Sequence, residues 1–577
     1  MPRTTTIAPR GAPRVPPSAP LLSLRLLSPP VRSHLVRSLL ALSLLLSAGG
    51  CDGGRSSDAG TGVSAAEPIA ETAHGRVRGV VEDGIFTFKG IRYGADAATT
   101  RFAAPAKPGP WDGELDATSF GASCPQTPTG NPAGLFTSWR PDPAPPLEED
   151  CLFLNVWTPA LADGGKRPVM VWFHGGGFTS GNGASRGYDG VRLARRGDVV
   201  VVTVNHRLNV FGYLALGHYG EGFADSPVAG VLDMVLALEW VQGNIEAFGG
   251  DPGTVMIFGE SGGGAKVSTL LATEAARGLF HRAVVQSGAL LRFPERENAQ
   301  AAADKVVTNL GLIRETIDQI RTLPVETIQQ ALAGTGAATA PSIDGRTLTR
   351  HPFEPDAAPS GLDVPLMLGT NRTESSLFLA GNPALFELTW DGLRTALAEA
   401  YPDRGIDAVI AGYRALEPES DPSDIYFEAT TDSRYLAGHV LQAERKVAQG
   451  GAPVYLYLFD WETPVDGGKW RSPHALEIGF VFDNVAYSQS MSGVGEEQQR
   501  VADVMADTWI AFARTGNPDN PRIPHWAPYD LESRPVMVLG ESPALVNDAR
   551  GAQRALLDDS ASYLGRYRRG AGTPPAG

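Results

Sequence analysis

Apolar residues fall along this chain in short unbroken runs set between helical segments. Arg167-Pro-Val-Met-Val-Trp-Phe173, Asp198-Val-Val-Val-Val-Thr-Val204 and Val255-Met-Ile-Phe258 lack polar alternation, which predicts strands buried on both faces. Leu152-Phe-Leu-Asn-Val-Trp157 predicts another strand. Residues 75–93 alternate about Asp83-Gly84, a dipeptide suited to a two-residue turn, and predict an N-terminal hairpin. Residues 229–248 read as a helix, and 503–513 carry apolar residues at helical spacing before Gly516-Asn-Pro stops them. Strands alternating with helices predict an α/β fold, a mostly parallel central sheet with helices on both faces.

The two ends break this pattern. Residues 1–50 hold six arginines and no acid, followed by the apolar run Ser38-Leu-Leu-Ala-Leu-Ser-Leu-Leu-Leu-Ser47. That run is about half the ~20 residues needed to span a bilayer, so 1–50 reads as a secretory signal segment and the protein as exported, periplasmic or extracellular. The leader before the apolar run is long, and no methionine lies between Met1 and Met170, which suggests translation from a start near Val31. Ser47-Ala-Gly-Gly-Cys51 has the small residues and cysteine of a lipidation site, and ordinary signal cleavage beside an incidental cysteine is the alternative. Residues 51–66 suit a flexible tether, 67–565 the folded domain and 566–577 a disordered tail.

Charge narrows the partners. With 49 Lys and Arg against 64 Asp and Glu, the formal charge is −15, which argues against nucleic acid and leaves an acyl chain as the means of any membrane attachment. Of three cysteines, Cys124 and Cys151 remain as a candidate pair if Cys51 is lipidated. A bond between them would contribute roughly 3 kcal/mol by loop entropy, and two buried thiols are the alternative. No His-Glu-x-x-His, Cys-x-x-Cys or dinucleotide fingerprint occurs, so neither metal nor cofactor is expected.

The chemistry gathers around Gly259-Glu-Ser-Gly-Gly263, between the run at 255–258 and a helical stretch. Gly-x-Ser-x-Gly alone is weak in a chain with 67 glycines, but strand, turn and helix in this order describe a nucleophile elbow that lifts the Ser261 hydroxyl clear of the sheet. The strand ending at Phe173 leads into His174-Gly-Gly-Gly-Phe178, where glycines free the backbone to turn N–H groups toward an oxyanion. His174 reads as holding that loop rather than as a base.

These pieces resemble the type B carboxylesterases of the α/β-hydrolase fold, a family that includes cholinesterases and bacterial para-nitrobenzyl esterases. The resemblance extends over most of the chain through Phe88-Lys-Gly-Ile-Arg-Tyr93, Glu149-Asp-Cys-Leu-Phe-Leu-Asn155, His174-Gly-Gly-Gly-Phe178, Asn205–Gly212, the elbow, Gln286-Ser-Gly288, Gly369-Thr-Asn-Arg-Thr-Glu374 and 474–482. It implies Ser261 as nucleophile, Glu374 as acid and His474 as base, with Gly176, Gly177 and Gly262 as oxyanion donors. It also implies a Cys124–Cys151 disulfide. Glu260 and Glu477 match charges beside the site and are expected to act through its members or to form plain salt bridges. Without the motifs, Glu374 and His474 would pass for a surface carboxylate and a packed loop histidine.

The implied activity is hydrolysis of small-molecule carboxylic esters through a seryl acyl-enzyme. A triacylglycerol lipase or a non-catalytic adhesion protein of the same fold are the alternatives, and a complete Ser261, Glu374 and His474 set argues against the second. Trp139 lies roughly where cholinesterases hold a choline-binding tryptophan, but Arg140 disfavours a cation there and packing is the expected role. Four positions depart from the family's usual residues: Gly262 for alanine, His206 for tyrosine, and Thr373 and Ser375 for aspartate and glycine. From the sequence, Gly262→Ala is expected to raise stability and leave activity within several-fold.

Overall fold

A computed structural model describes residues 67–127, 130, 134–336, 339–402 and 404–557. The signal segment, the tether with Cys51 and the tail at 566–577 lie outside the described residues.

In chain order the strands are β1 (Ile69–Thr72), β2 (Gly75–Arg78), β3 (Val80–Glu82), β4 (Ile85–Arg92) and β5 (Glu114–Asp116). Then come β6 (Phe153–Thr158), β7 (Arg167–Phe173), β8 (Val200–Val204), β9 (Gly250–Glu260) and β10 (Arg282–Gln286). The last four are β11 (Leu366–Asn371), β12 (Val454–Phe459), β13 (Pro535–Leu539) and β14 (Ala544–Asn547). Among the described residues they form a small sheet, β1-β2-β5, and an 11-stranded sheet in the order β14-β13-β12-β11-β10-β9-β7-β8-β6-β4-β3. From β8 to β13 in that sheet every neighbouring pair is parallel, and antiparallel pairs finish both edges. This is the α/β-hydrolase architecture.

The unbroken apolar runs are the strands with both faces covered. Every residue of β7, β8, β11 and β12 is buried. Successive residues of one strand enter opposite cores: Val169, Val171 and Phe173 pack with Val231, Met234 and Trp240 of the helix Ala229–Asn244. Met170 and Trp172 pack with Met505, Trp509 and Phe512 of the helix Glu496–Thr515. The alternation follows from the two-residue period of a strand.

The predicted hairpin is shorter than its alternating pattern. Asp83 and Gly84 form the two-residue turn with φ of 49° and 81°, joining β3 to β4. Residues 75–78 instead pair with β1 and β5 in the small sheet. The break falls at Gly79, where a Cβ would stand 2.3 Å from the Thr87 carbonyl oxygen, so the chain changes sheets at a point that admits no side chain. The predicted helix at 229–248 ends its α segment at Asn244 and closes in a 3₁₀ turn, Ile245–Phe248, before Gly249.

Candidate active site

Strand β9 ends at Glu260 and the helix Gly262–Leu271 begins two residues later, leaving Ser261 alone at the turn with φ 58° and ψ −122°. A non-glycine residue held there stores on the order of 1–3 kcal/mol of strain, maintained by the packing around it. That packing is close. A Cβ on Gly259 would stand 2.5 Å from the Phe173 carbonyl oxygen, and one on Gly263 would stand 2.0 Å from the same atom. The Gly-x-Ser-x-Gly glycines therefore let the turn press against the end of β7, while the Ser261 N–H donates to Gln286 O of β10 at 2.8 Å.

The loop leaving β7 faces this turn. Gly176 and Gly177 are exposed and hold φ of 84° and 61°. Among the described residues, no hydrogen bond leaves the N–H of Gly176, Gly177 or Gly262. Gly177 lies directly against Gly262: a Cβ at 262 would fall 2.2 Å from Gly177 O and 2.4 Å from its N and Cα. This overturns the expectation for Gly262→Ala, because in this chain the space of that methyl is filled by the backbone of the glycine loop.

The acid and base come from loops beyond β11 and β12. Glu374 is fully buried, and its Oε1 accepts from Ser287 Oγ (2.6 Å), Thr370 Oγ1 (2.6 Å) and the Asn371 N–H (2.7 Å). Its Oε2 meets His474 Nδ1 at 2.5 Å. Burial pushes the Glu374 carboxyl up, but His474 and these hydrogen bonds outweigh it and hold the group below the ordinary carboxylate value. The other ring nitrogen, Nε2, lies 3.0 Å from Glu260 Oε1 but out of line for a hydrogen bond, so the contact is electrostatic. Burial opposes charge on the His474 imidazole, yet Glu260 and Glu374 flanking it hold its pKa well above the usual histidine value. Thr373 joins the two loops: its N–H donates to Ser472 O at 3.1 Å, and its Oγ1 accepts from the Ser472 N–H at 2.8 Å.

The structure thus brings Glu374, His474 and Glu260 into contact, and sets Gly177 against Gly262 beside Ser261. Glu477 stands one step back and makes no salt bridge among the described residues. Its oxygens accept from Gln286 Nε2 (3.1 Å) and Asn371 Nδ2 (2.7 Å), and burial, then Glu260 and Glu374, push it up to about 8. The shift favours its protonated form. His174 is buried and neutral, its pKa held well below the ordinary value by burial and then by Lys266, and its Nδ1 lies 2.8 Å from Gly175 O. Trp139 is buried against Phe136, with its indole N–H donating to Ser488 Oγ at 3.0 Å, as packing requires. Cys124 and Cys151 form a disulfide with Cα atoms 5.0 Å apart.

Sequence reasoning missed Thr370, Ser287 and Lys266. Ser287 sits in the family block Gln286-Ser-Gly288 and Thr370 in the block leading to Glu374, so both carried a positional signal. Lys266 carried only its place in the helix after the serine.

Comparison with known proteins identifies the family. The carboxylesterase family model matches residues 66–556. The chain is 33% identical over 506 residues to the para-nitrobenzyl esterase of Bacillus subtilis (strain 168), a match covering 85% of this chain and 98% of that protein. It is 32% identical to the phenmedipham hydrolase of Pseudarthrobacter oxydans, covering 83% and 96%. The crystal structure of a Geobacillus stearothermophilus carboxylesterase superposes with a TM-score of 0.73 at 37% identity, covering 85% of this chain and all of that one. Family model, full-length relatives and fold agree: the chain belongs to the carboxylesterase family and is a carboxylic ester hydrolase.

Proposed function

We propose that ester hydrolysis runs through an acyl-enzyme on Ser261, with His474 as base, Glu374 as its orienting acid, and the Gly176, Gly177 and Gly262 amides as the oxyanion hole. The observation that carries this reading is the Glu374–His474 contact. Because Nδ1 is bound to a carboxylate whose other oxygen already has three donors, the tautomer is fixed and Nε2 is the basic atom. In the first half-reaction Nε2 takes the Ser261 proton as Oγ attacks the ester carbonyl, and the free N–H groups receive the oxyanion, each contributing roughly 3 kcal/mol. Nε2 then protonates the departing alcohol. Water, deprotonated by the same nitrogen, releases the acid and restores Ser261.

The substrate class proposed is soluble carboxylic esters, including those of bulky alcohols. The name of one relative, a para-nitrobenzyl esterase, supports an aromatic group on the alcohol side of the bond. Export of the protein, with Cys51 lipidated, is proposed from the sequence of residues 38–51, and mass spectrometry of the mature N-terminus tests it.

The deciding experiment is turnover of para-nitrophenyl esters, from acetate to palmitate, by the full chain with Ser261→Ala beside it. Hydrolysis that falls with acyl length and disappears in the variant supports the proposal. Turnover that survives Ser261→Ala contradicts it.

A further inference from the structure

A peptide group is planar with its C=O and N–H pointing opposite ways, so whatever holds the carbonyls of a loop decides where its N–H groups face. In the glycine loop each of the first three carbonyls is held from within the protein. Gly176 O accepts the N–H groups of Thr179 (3.2 Å) and Ser180 (3.0 Å), which turns the Gly177 N–H outward. Gly175 O is held by His174 Nδ1, which turns the Gly176 N–H outward. His174 O is held by Lys266 Nζ at 2.7 Å.

Lys266 is fully buried in the helix that follows Ser261. Its ammonium lies 5.8 Å from the Phe178 ring centroid and makes no other hydrogen bond or ion pair among the described residues. Burial pushes it down to about 7 while Glu260 draws it back up. Packing alone would be served better by an apolar side chain, since a buried ammonium with one acceptor for three donors is costly.

We infer that Lys266 is a positioning residue for the oxyanion donors: by fixing the His174 carbonyl it fixes the imidazole that aims the Gly176 N–H. Three neighbouring elements face it, through Glu260 at the end of β9, His174 after β7 and His206 after β8. The two imidazoles stack 4.9 Å apart at 5°, and burial, reinforced by Lys266, holds both well below the ordinary histidine value. His174 therefore stays neutral, with its Nδ1–H donated to Gly175 O. The inference rests on the acyl-enzyme reading above.

The test compares Lys266→Met and Lys266→Gln in the full chain, using para-nitrophenyl butyrate and an aryl trifluoromethyl ketone, which forms an oxyanion adduct with an active serine. For Lys266→Met the expected result is a fall in kcat of about 30- to 100-fold with KM within about threefold, and ketone affinity lost by the same factor as kcat/KM. Lys266→Gln, which keeps a donor, recovers part of both. The inference is overturned if folded Lys266→Met keeps its kcat and ketone affinity, or if KM rises by as much as kcat falls. Should Lys266→Met fail to fold, Lys266→Gln is judged on the same criteria: a fall in kcat and ketone affinity together supports the inference, and neither changing overturns it. Ser261→Ala run alongside separates the two levels. If it abolishes turnover, a negative result at Lys266 counts against this inference alone; if it does not, the acyl-enzyme reading falls first.

Discussion

The two halves of the site are made of different material. The proposed oxyanion half is backbone: glycine N–H groups without a partner among the described residues, packed so closely that a methyl at 262 or 263 would strike main-chain atoms. The proposed acid–base half is side chain: a buried carboxylate with its oxygens occupied, an imidazole between two glutamates, and a third glutamate held by amides. The first half depends on shape, and Gly176, Gly262 and Gly263 leave no room for a methyl. The second depends on charge and accepts isosteres at the expense of its pH behaviour.

Charge changes in the second half are expected to have the largest effect on turnover. Glu374→Gln keeps the shape but not the charge, and loses the fixed tautomer, so kcat should fall by about 10³- to 10⁴-fold while the melting temperature moves little. A loss below tenfold in steady-state kinetics would mean that Glu374 does not orient the base. Next comes the shape half. Gly262→Ala must push Gly177 aside, and kcat should fall by about 10²-fold or more together with a lower melting temperature; a more stable variant with near-normal turnover would show that the two glycines are not in contact.

Glu260→Gln should act on pH rather than on maximal rate. The base works only when neutral, and Glu260 with Glu374 raises the His474 pKa, so the acid limb of kcat/KM should lie above the ordinary ~6.5. Removing the Glu260 charge should move that limb to lower pH, and an unmoved profile would contradict the contact. The stability linked to the raised His474 pKa has the corresponding sign: full below about pH 6.5 and lost as pH rises through the folded-state value. The smallest effect is expected at Trp139→Phe, which removes the bond to Ser488 and should cost about 1 kcal/mol in denaturant unfolding without altering which esters are cleaved.

The two halves were also unequally legible in the sequence. The elbow and the triple glycine announce backbone geometry directly, because only glycine permits those approaches. Glu374 and His474 sit 100 residues apart, and nothing local marks them as a pair; the family motifs supplied them. The buried strands were legible because their apolar runs lack alternation, whereas the start of the hairpin was not, since residues 75–78 alternate equally well in either sheet. Gly262 was misjudged because its tight neighbour, Gly177, is distant in the chain and only the fold brings it there. Lys266 escaped notice because a lysine in a helix ordinarily points to solvent, and its burial is set by the turn at Ser261 and the end of β7.

The central claim is that Ser261 carries the acyl group, and the most direct measurement is mass spectrometry of the enzyme quenched during turnover of a slowly deacylated para-nitrophenyl ester. The account predicts one acyl adduct, on the peptide containing Ser261, appearing with a burst of para-nitrophenol of about one equivalent. Steady turnover with no adduct, or an adduct on another residue, would contradict it.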